Sequence, residues 1–129
     1  MNKKSVYTKE APEAIGPYSQ AVVVNGVVYT SGQLGLDPNT VEMADGVVNQ
    51  THQVLKNVQA VLKEAGSDLN EVVKATIFLN DMNDFSQVNE VYASYFEKPY
   101  PSRSAIEVSR LPKDALVEVE VIALEKDNQ

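Results

Sequence analysis

The sequence predicts an α+β domain in which two helices cover one face of a mixed sheet. An Asn-Gly pair joins two valine-rich runs near the start, two later segments carry apolar residues at helical spacing, and β-branched runs follow each of these segments. Together these three observations give the order ββαβαββ, which is typical of a sheet with helices packed on one side. No repeat, low-complexity segment or linker divides the chain, so we expect a single domain over residues 1–129.

The first predicted element is a β-hairpin. Residues 20–24 and 27–31 are rich in β-branched side chains and flank Asn25-Gly26. Asn and Gly tolerate the positive φ angles that a type I′ turn requires at both central positions. The segment therefore predicts two antiparallel strands joined by a tight turn.

A first helix is predicted from about Val48 to Ala65. Its apolar residues recur three and four positions apart, so they share one helical face: Val54, Leu55, Val58, Val61, Leu62 and Ala65. Gly66 stands where a helix commonly ends with a residue of positive φ.

A second helix is predicted from an aromatic stripe formed by Phe85, Val88, Tyr92, Tyr95 and Phe96. Asn83 and Asp84 are its capping candidates, and Pro99 and Pro101 are predicted to stop it. We interpret the stripe as a core face rather than a cofactor contact, because aromatic residues at helical spacing usually pack into the core.

Three further strands complete the predicted sheet. Val72 to Leu79 is rich in Val, Ile, Thr and Phe and is closed by a turn at Asn80-Asp81. Ser104 to Ser109 reads as the next strand, Leu111 to Asp114 as a turn, and Leu116 to Leu124 as a long terminal strand.

The terminal strand carries an unusual pattern. Strand alternation separates a small β-branched face from a mixed face, the first with Val117, Val119, Val121 and Ala123, the second with Leu116, Glu118, Glu120, Ile122 and Leu124. The mixed face fits burial against another subunit with its carboxylates serving a site. The alternative is an amphipathic edge strand whose glutamates are solvated, and pattern alone favours this alternative.

Composition excludes several classes of function. With no cysteine there is no disulfide, thiolate metal site or Cys nucleophile. The net charge of −7 argues against a nucleic-acid partner, because such affinity depends on Lys and Arg neutralising phosphates. No apolar run is long enough for a membrane span, and the single His52 has no second histidine nearby, so we expect a soluble cytoplasmic protein without a metal.

Arg103 is the first candidate site residue. It follows Pro99-Tyr100-Pro101-Ser102, where two prolines stiffen the approach to a strand. A guanidinium on a rigid segment can bind a carboxylate through two parallel hydrogen bonds. The alternative is an ordinary surface arginine.

Two segments combine glycine with hydroxyl residues near strand ends, residues 15–19 and 30–33. Glycine lets a backbone approach a ligand closely, and hydroxyls donate or accept hydrogen bonds. Turns often have the same composition, so each segment alone is a weak signal.

Taken together, these motifs resemble the RidA family of reactive intermediate deaminases, once called YjgF, from Ala11-Pro12 to Leu124. The resemblance is carried by Ala14-Ile15-Gly16-Pro17-Tyr18-Ser19-Gln20-Ala21, Thr30-Ser31-Gly32-Gln33, Asn80-Asp81-Met82-Asn83-Asp84-Phe85 with Val88-Asn89, Pro101-Ser102-Arg103-Ser104, Val108-Ser109-Arg110-Leu111-Pro112-Lys113-Asp114 and Val117-Glu118-Val119-Glu120. It implies a chorismate-mutase-like fold and a homotrimer with a central barrel-like core and sites between subunits.

The resemblance also implies roles for individual residues. Arg103 matches the arginine that binds the substrate carboxylate, and Glu118 matches the glutamate that holds the attacking water. The remaining residues that match the family's cleft are Tyr18, with a catalytic role, and Ser31, Gly32 and Asn89, which bind substrate. Many family members have cysteine two residues after the arginine, whereas this chain has Ala105, so thiol regulation is not expected here.

The implied activity is hydrolysis of 2-aminoacrylate and related 2-imino acids to 2-oxo acids and ammonia, without a cofactor. An alternative is a regulatory protein that binds 2-oxo acids in the same cleft without turnover. A third reading, the ribonuclease activity ascribed to some relatives, fits poorly with the acidic charge.

Overall fold

The computed structural model describes residues 2–126 and confirms the predicted α+β architecture. Its strands are β1 (Lys4–Val6), β2 (Ala21–Val24), β3 (Val27–Thr30), β4 (Gln33–Leu34), β5 (Val72–Leu79), β6 (Ser102–Glu107) and β7 (Val117–Leu124), and its α-helices are α1 (Gly46–Glu64) and α2 (Phe85–Ala93). Short 3₁₀ turns lie at Leu69–Glu71, Met82–Asp84 and Pro112–Asp114.

All seven strands form one mixed sheet in the order β1-β2-β3-β7-β5-β6, with β4 also paired to β7. Only the β5–β6 pair is parallel among these strands. β7 therefore lies inside the sheet, between β3 and β4 on one side and β5 on the other. The interpretation of this segment as an amphipathic edge strand is wrong, because the sequence pattern does not reveal the number of hydrogen-bonded neighbours.

The predicted hairpin and first helix are confirmed. Asn25 and Gly26 have φ angles of 52° and 78°, as a type I′ turn requires. Helix α1 ends at Glu64, one residue from its predicted end, and Gly66 has φ +81° directly after the Ala65 cap. This left-handed glycine turns the chain back toward the sheet.

The capping of α2 differs from the prediction. Neither Asn83 nor Asp84 caps a helix through its side chain; instead Asp81 accepts a hydrogen bond from the backbone N–H of Asn83 at the start of the preceding 3₁₀ turn. The 3₁₀ turn at Met82–Asp84 leads directly into α2. The capping residue, Asp81, therefore lies about one turn before the position that the aromatic stripe indicates.

The end of α2 also differs from the prediction. The helix ends at Ala93, well before Pro99 and Pro101. The Ser94 hydroxyl donates to the Val91 carbonyl at 2.6 Å, which replaces a continuing helical bond. The prolines therefore shape the loop to β6 and do not terminate the helix.

The core lies between the helices and one face of the sheet, here called the helix face. Val117, Val119, Val121 and Ala123 of β7 are at most 2% exposed and pack with apolar residues of α1. The small β-branched side of this strand is therefore the core side, as predicted. The opposite side of the sheet, here called the open face, carries Glu118, Glu120, Ile122 and Leu124.

Two short strands, β1 and β4, were not predicted. Three and two residues are too few for a visible alternation, and β4 is held both by its pairing with β7 and by a side chain of helix α1. The fully buried Asn57 of α1 donates hydrogen bonds to the carbonyls of Leu34 and Leu36, at 3.0 and 2.9 Å. Asn57 therefore fixes this segment against the helix.

Replacing Asn57 with alanine is expected to destabilise the fold by about 2–4 kcal/mol, because one buried and one partly buried carbonyl lose their donor. Urea unfolding at fixed protein concentration measures the change. Asn49→Ala is the control, since Asn49 is an exposed amide on the same helix that donates to the Asp45 carbonyl. We expect that control to cost less than about 1 kcal/mol, and an equal loss in both variants would contradict the role of Asn57.

No helix in the described part of the chain is long and apolar enough to cross a membrane.

Candidate functional site

Arg103 lies on the edge strand β6, on the helix face of the sheet. It pairs with Ala75 of β5, which in turn pairs with Val121 of β7. Residues paired directly across strands project to the same face, so Arg103 shares the face of the buried Val121. Its position at the edge nevertheless leaves its side chain exposed.

Helix α2 holds the Arg103 guanidinium through three residues of one helical face. The Asn89 Oδ1 atom accepts a hydrogen bond from Nη1 at 2.6 Å. The guanidinium carbon lies 5.2 Å from the ring centroid of Phe85 and 4.9 Å from that of Tyr92. Positions 85, 89 and 92 are four and three residues apart, the spacing that brings helical side chains together.

A cavity of about 440 Å³ opens beside this guanidinium. The residues that line it come from α2 and from the stiff segment before β6: Asn89, Tyr92, Ala93, Tyr100, Pro101 and Arg103. The volume lies in the range that small-molecule sites occupy.

The charge of Arg103 has no acidic partner in the part of the chain that the structure describes. Among residues 2–126 the ion pairs are Arg110–Asp114 and Lys126–Asp68, and neither involves Arg103. Its contacts, an amide oxygen and two aromatic rings, are neutral. The cavity therefore presents an uncompensated cation with donors left for an anion.

Glu118 lies on the open face, in a different environment. It pairs with Phe78 of β5 and Leu34 of β4, and it is partly buried. Burial raises the pKa of the Glu118 carboxyl above its ordinary value, and the neighbouring Glu120 carboxylate raises it further. A carboxyl with a raised pKa holds a proton more readily than an ordinary glutamate, which suits a group that takes and returns a proton.

Gly32 makes room for the Glu118 carboxylate. A Cβ atom at position 32 would overlap the Oε2 atom of Glu118, so only glycine permits the observed side-chain position. The Gly32 backbone therefore lies directly against the carboxylate.

Gly32→Ala is expected to displace the Glu118 carboxylate, and any reaction that depends on this carboxyl should slow by about tenfold or more, because a displaced acid–base group loses its alignment. The clash involves the end of a flexible side chain, so the melting temperature should change by only a few degrees. Steady-state kinetics and thermal unfolding measure both. In the Glu118→Gln background the same change should cost little more; fully additive losses would show that Gly32 acts elsewhere.

Ser31 and Tyr18 belong to the strand ends near Gly32. The Ser31 hydroxyl donates to the Ser19 carbonyl at 2.6 Å, which ties the end of β3 to the loop that carries Tyr18. Tyr18 itself is 55% exposed. Neither residue lines the cavity beside Arg103.

The sequence-predicted residues thus fall into two groups. Arg103 and Asn89 form one group on the helix face at β6. Glu118 and Gly32 form the other on the open face, with Ser31 next to Gly32 in the chain. The two groups do not meet within one protomer, because Arg103 and Glu118 leave opposite faces of the sheet.

Phe85 and Tyr92 were interpreted only as core residues. Tyr92 is indeed buried, but both rings also contact the Arg103 guanidinium. The available signal in the sequence was their spacing: Phe85 lies four positions before Asn89, and Tyr92 lies three positions after it. It could not be used without knowing that β6 lies beside α2.

His52 and the question of a metal site are the remaining points of the sequence analysis. His52 lies on α1, where its Nδ1 atom is 2.9 Å from the hydroxyl of Tyr95, two residues beyond the end of α2. Within residues 2–126, no cluster of three or more His, Cys, Asp or Glu side chains has the arrangement of a metal site.

Comparison with known proteins gives consistent results over nearly the whole chain. A family model described as endoribonuclease L-PSP matches residues 8–125. The chain is 50% identical over 124 residues to the 2-iminobutanoate/2-iminopropanoate deaminase of Mus musculus, which covers 95% of this chain and 92% of the mouse protein.

Solved structures show the same likeness. The crystal structure of RidA from the Antarctic bacterium Psychrobacter sp. is similar with a TM-score of 0.92 at 45% identity, covering 94% of this chain and 98% of that one. The crystal structure of E. coli TdcF with bound serine is similar with a TM-score of 0.91 at 42% identity, covering 95% and 99%. The fold is therefore shared with these proteins at close to full length.

Proposed function

We propose that this chain, which belongs to the endoribonuclease L-PSP family and is similar to a solved RidA structure over nearly its whole length, is an enamine and imine deaminase. It hydrolyses 2-aminoacrylate and related 2-imino acids to 2-oxo acids and ammonia. The identity of 50% to the mouse 2-iminobutanoate/2-iminopropanoate deaminase supports this substrate class.

The uncompensated Arg103 cation in its cavity is the observation that carries the proposal. A small acid needs one planar cation for its carboxylate, and a guanidinium supplies two parallel hydrogen bonds of fixed geometry. The serine bound in the TdcF structure is likewise a small molecule that carries a carboxylate. Arg103 would hold the substrate carboxylate and so fix the position of its C2 atom.

Glu118 would then activate water. The enamine first takes up a proton at C3 from solvent and becomes the iminium tautomer. The carboxylate then takes a proton from the water as the water oxygen bonds to C2, which gives a neutral carbinolamine with the former imine nitrogen on the same carbon. Return of that proton to the nitrogen lets the C–N bond break, while the hydroxyl group gives its own proton back to the carboxylate, which leaves a 2-oxo acid and ammonia; the carboxylate is reset when it passes that proton to solvent. Tyr18 and Ser31 would hydrogen-bond the substrate or the water, and the Gly32 backbone would line the site.

Because Arg103 and Glu118 leave opposite faces of the sheet, a site that uses both needs a second copy of the chain. We propose a homotrimer in which the Arg103 group of one protomer faces the Glu118 group of its neighbour. The open face supports this arrangement, since it exposes Tyr29, Ile106 and Leu124 to more than 40%. A ring of three would repeat one heterologous interface and form three equivalent sites.

The decisive experiment is pyruvate release from 2-aminoacrylate, generated in place by a pyridoxal-dependent lyase acting on serine. The chain should accelerate release above the spontaneous rate, and light scattering should give the mass of a trimer. A rate equal to the spontaneous one would remove the enzymatic assignment.

Subunit mixing tests the shared site. Arg103→Ala and Glu118→Gln proteins, each inactive alone, should regain activity when unfolded together and refolded. In randomly mixed trimers, an unchanged Arg103 of one protomer would face an unchanged Glu118 of its neighbour at about a quarter of the interfaces. No recovery in verified mixed trimers would show that both groups of a site come from one protomer or that the site lies elsewhere.

A regulatory protein that binds 2-oxo acids would use the same Arg103 cavity. Turnover separates the two readings, because regulation needs no water activation by Glu118. Ribonuclease activity remains poorly supported, since the net charge of −7 opposes binding of a polyanion.

A further inference from the structure

We propose that Phe85 and Tyr92 are positioning residues for the deamination: their rings hold the Arg103 guanidinium in place without neutralising it, so its full charge is left for the substrate carboxylate. This inference rests on the proposed function and assigns a role to the face of α2 that the sequence presents as core.

The geometry restricts the guanidinium from one side. The guanidinium carbon lies about equally far from both ring centroids, at 5.2 Å for Phe85 and 4.9 Å for Tyr92. Both distances fall within the range in which an aromatic face attracts a cation. The Asn89 oxygen between these positions on α2 fixes one Nη atom, so three contacts from one rigid helix define the orientation of an otherwise flexible side chain.

Neutral partners are what a carboxylate anchor needs. A carboxylate from the protein would hold Arg103 equally well, but it would occupy the donors and cancel the charge that a substrate must meet. The ring quadrupole and the amide oxygen attract the cation and leave the net charge intact. Of the five N–H donors of the guanidinium, Asn89 accepts one, which leaves enough for a two-point grip on the substrate.

The ring of Tyr92, rather than its hydroxyl, carries this role. Tyr92 is 6% exposed, and its hydroxyl has no hydrogen-bond partner among the described residues. Burial raises the pKa of the Tyr92 phenol, so the group stays neutral beside Arg103. The Phe96 ring stacks on the Tyr92 ring at 4.3 Å and braces it.

The test compares ring removal with ring retention in the assembled protein. Phe85→Leu and Tyr92→Leu should each raise KM by about tenfold and weaken binding of 2-oxobutanoate, measured by calorimetry, by a similar factor. Tyr92→Phe should stay within about twofold of the original protein in both measurements, because it keeps the ring. The Arg103 side-chain N–H resonances should lose their ring-current shift in the two leucine variants only.

Tyr95→Leu is the matched control. Tyr95 is a partly buried aromatic residue packed against the same core, but it contacts His52 and not Arg103. A similar rise of KM in Tyr95→Leu, or unchanged KM and 2-oxobutanoate affinity in Phe85→Leu and Tyr92→Leu, would overturn the proposal.

Asn89→Asp tests the charge argument without removing a ring. The new carboxylate can accept the same hydrogen bond from Arg103, so the melting temperature should stay equal or rise. KM and the dissociation constant of 2-oxobutanoate should nevertheless increase by about tenfold or more, because the anchor is neutralised. Unchanged affinity would show that the free charge of Arg103 is irrelevant. Calorimetry does not need turnover, so failure of this inference is distinct from failure of the deaminase assignment.

Discussion

Arg103→Ala is expected to lower kcat/KM for 2-imino acid hydrolysis by at least about 100-fold. Removing one partner of a charge-assisted bidentate pair in a closed site costs about 3–5 kcal/mol, and each 1.36 kcal/mol is a factor of ten. The loss should appear in KM and in kcat, since the carboxylate grip also aligns C2 with the water. The melting temperature should change little, because the Arg103 side chain is exposed in the protomer.

Arg110→Ala is the control for this loss. Arg110 is an exposed arginine a few residues further along the chain, and its guanidinium pairs with Asp114 at 2.7 Å. Its removal should leave kcat/KM within about twofold, as expected for a surface ion pair. Arg103→Lys should give an intermediate loss, because an ammonium keeps the charge but not the planar fork. Turnover that survives Arg103→Ala unchanged would remove the anchor.

Local sequence predicted those elements whose conformation depends on residues close together in the chain. Asn25-Gly26 specifies a hairpin because few residues tolerate two successive positive φ angles, and Val72–Leu79 was predicted at both ends because β-branched density stops where the turn residues begin. Strand β4 was not predicted because its two residues show no alternation and because its partners, β7 and the Asn57 amide, lie far along the chain.

The candidate site combines features that the sequence predicted with features that it could not predict. The family motifs identified Arg103 and Asn89, and the structure brings these two into contact. Sequence could not show that Arg103 and Glu118 leave opposite faces, because that depends on how β5 pairs with both β6 and β7. It also could not separate the core role of Tyr92 from its contact with the guanidinium, since one ring does both.

Glu118→Gln is expected to lower kcat by about 100- to 10,000-fold, the range that general acid–base catalysis contributes. The amide keeps the size of the side chain but cannot take a proton from water. Affinity for 2-oxobutanoate should stay within about threefold, because the proposed anchor for the carboxylate is Arg103. Kinetics with enzymatically generated imines and calorimetry with the product measure the two effects separately.

The raised pKa of Glu118 also predicts a gain in stability from the same substitution. A carboxyl whose pKa is higher in the folded state than in the unfolded state binds its proton more tightly when folded. Its contribution to stability is therefore present at low pH and is lost as the pH rises through the raised pKa. Glu118→Gln removes this cost, so it should unfold at a slightly higher temperature than the original protein at pH 7, and at a similar temperature near pH 4.

The pH profile separates Glu118 from a merely structural residue. The proposed base, Glu118, acts in its carboxylate form, so kcat should fall as the pH drops through its raised pKa. Glu120→Gln removes the neighbouring charge that contributes to that raised pKa. The fall of kcat at low pH, the acidic limb of the profile, should therefore move to lower pH, and kcat at neutral pH should be nearly unchanged. A limb that stays in place in Glu120→Gln, or full turnover in Glu118→Gln, would mean that another group activates the water.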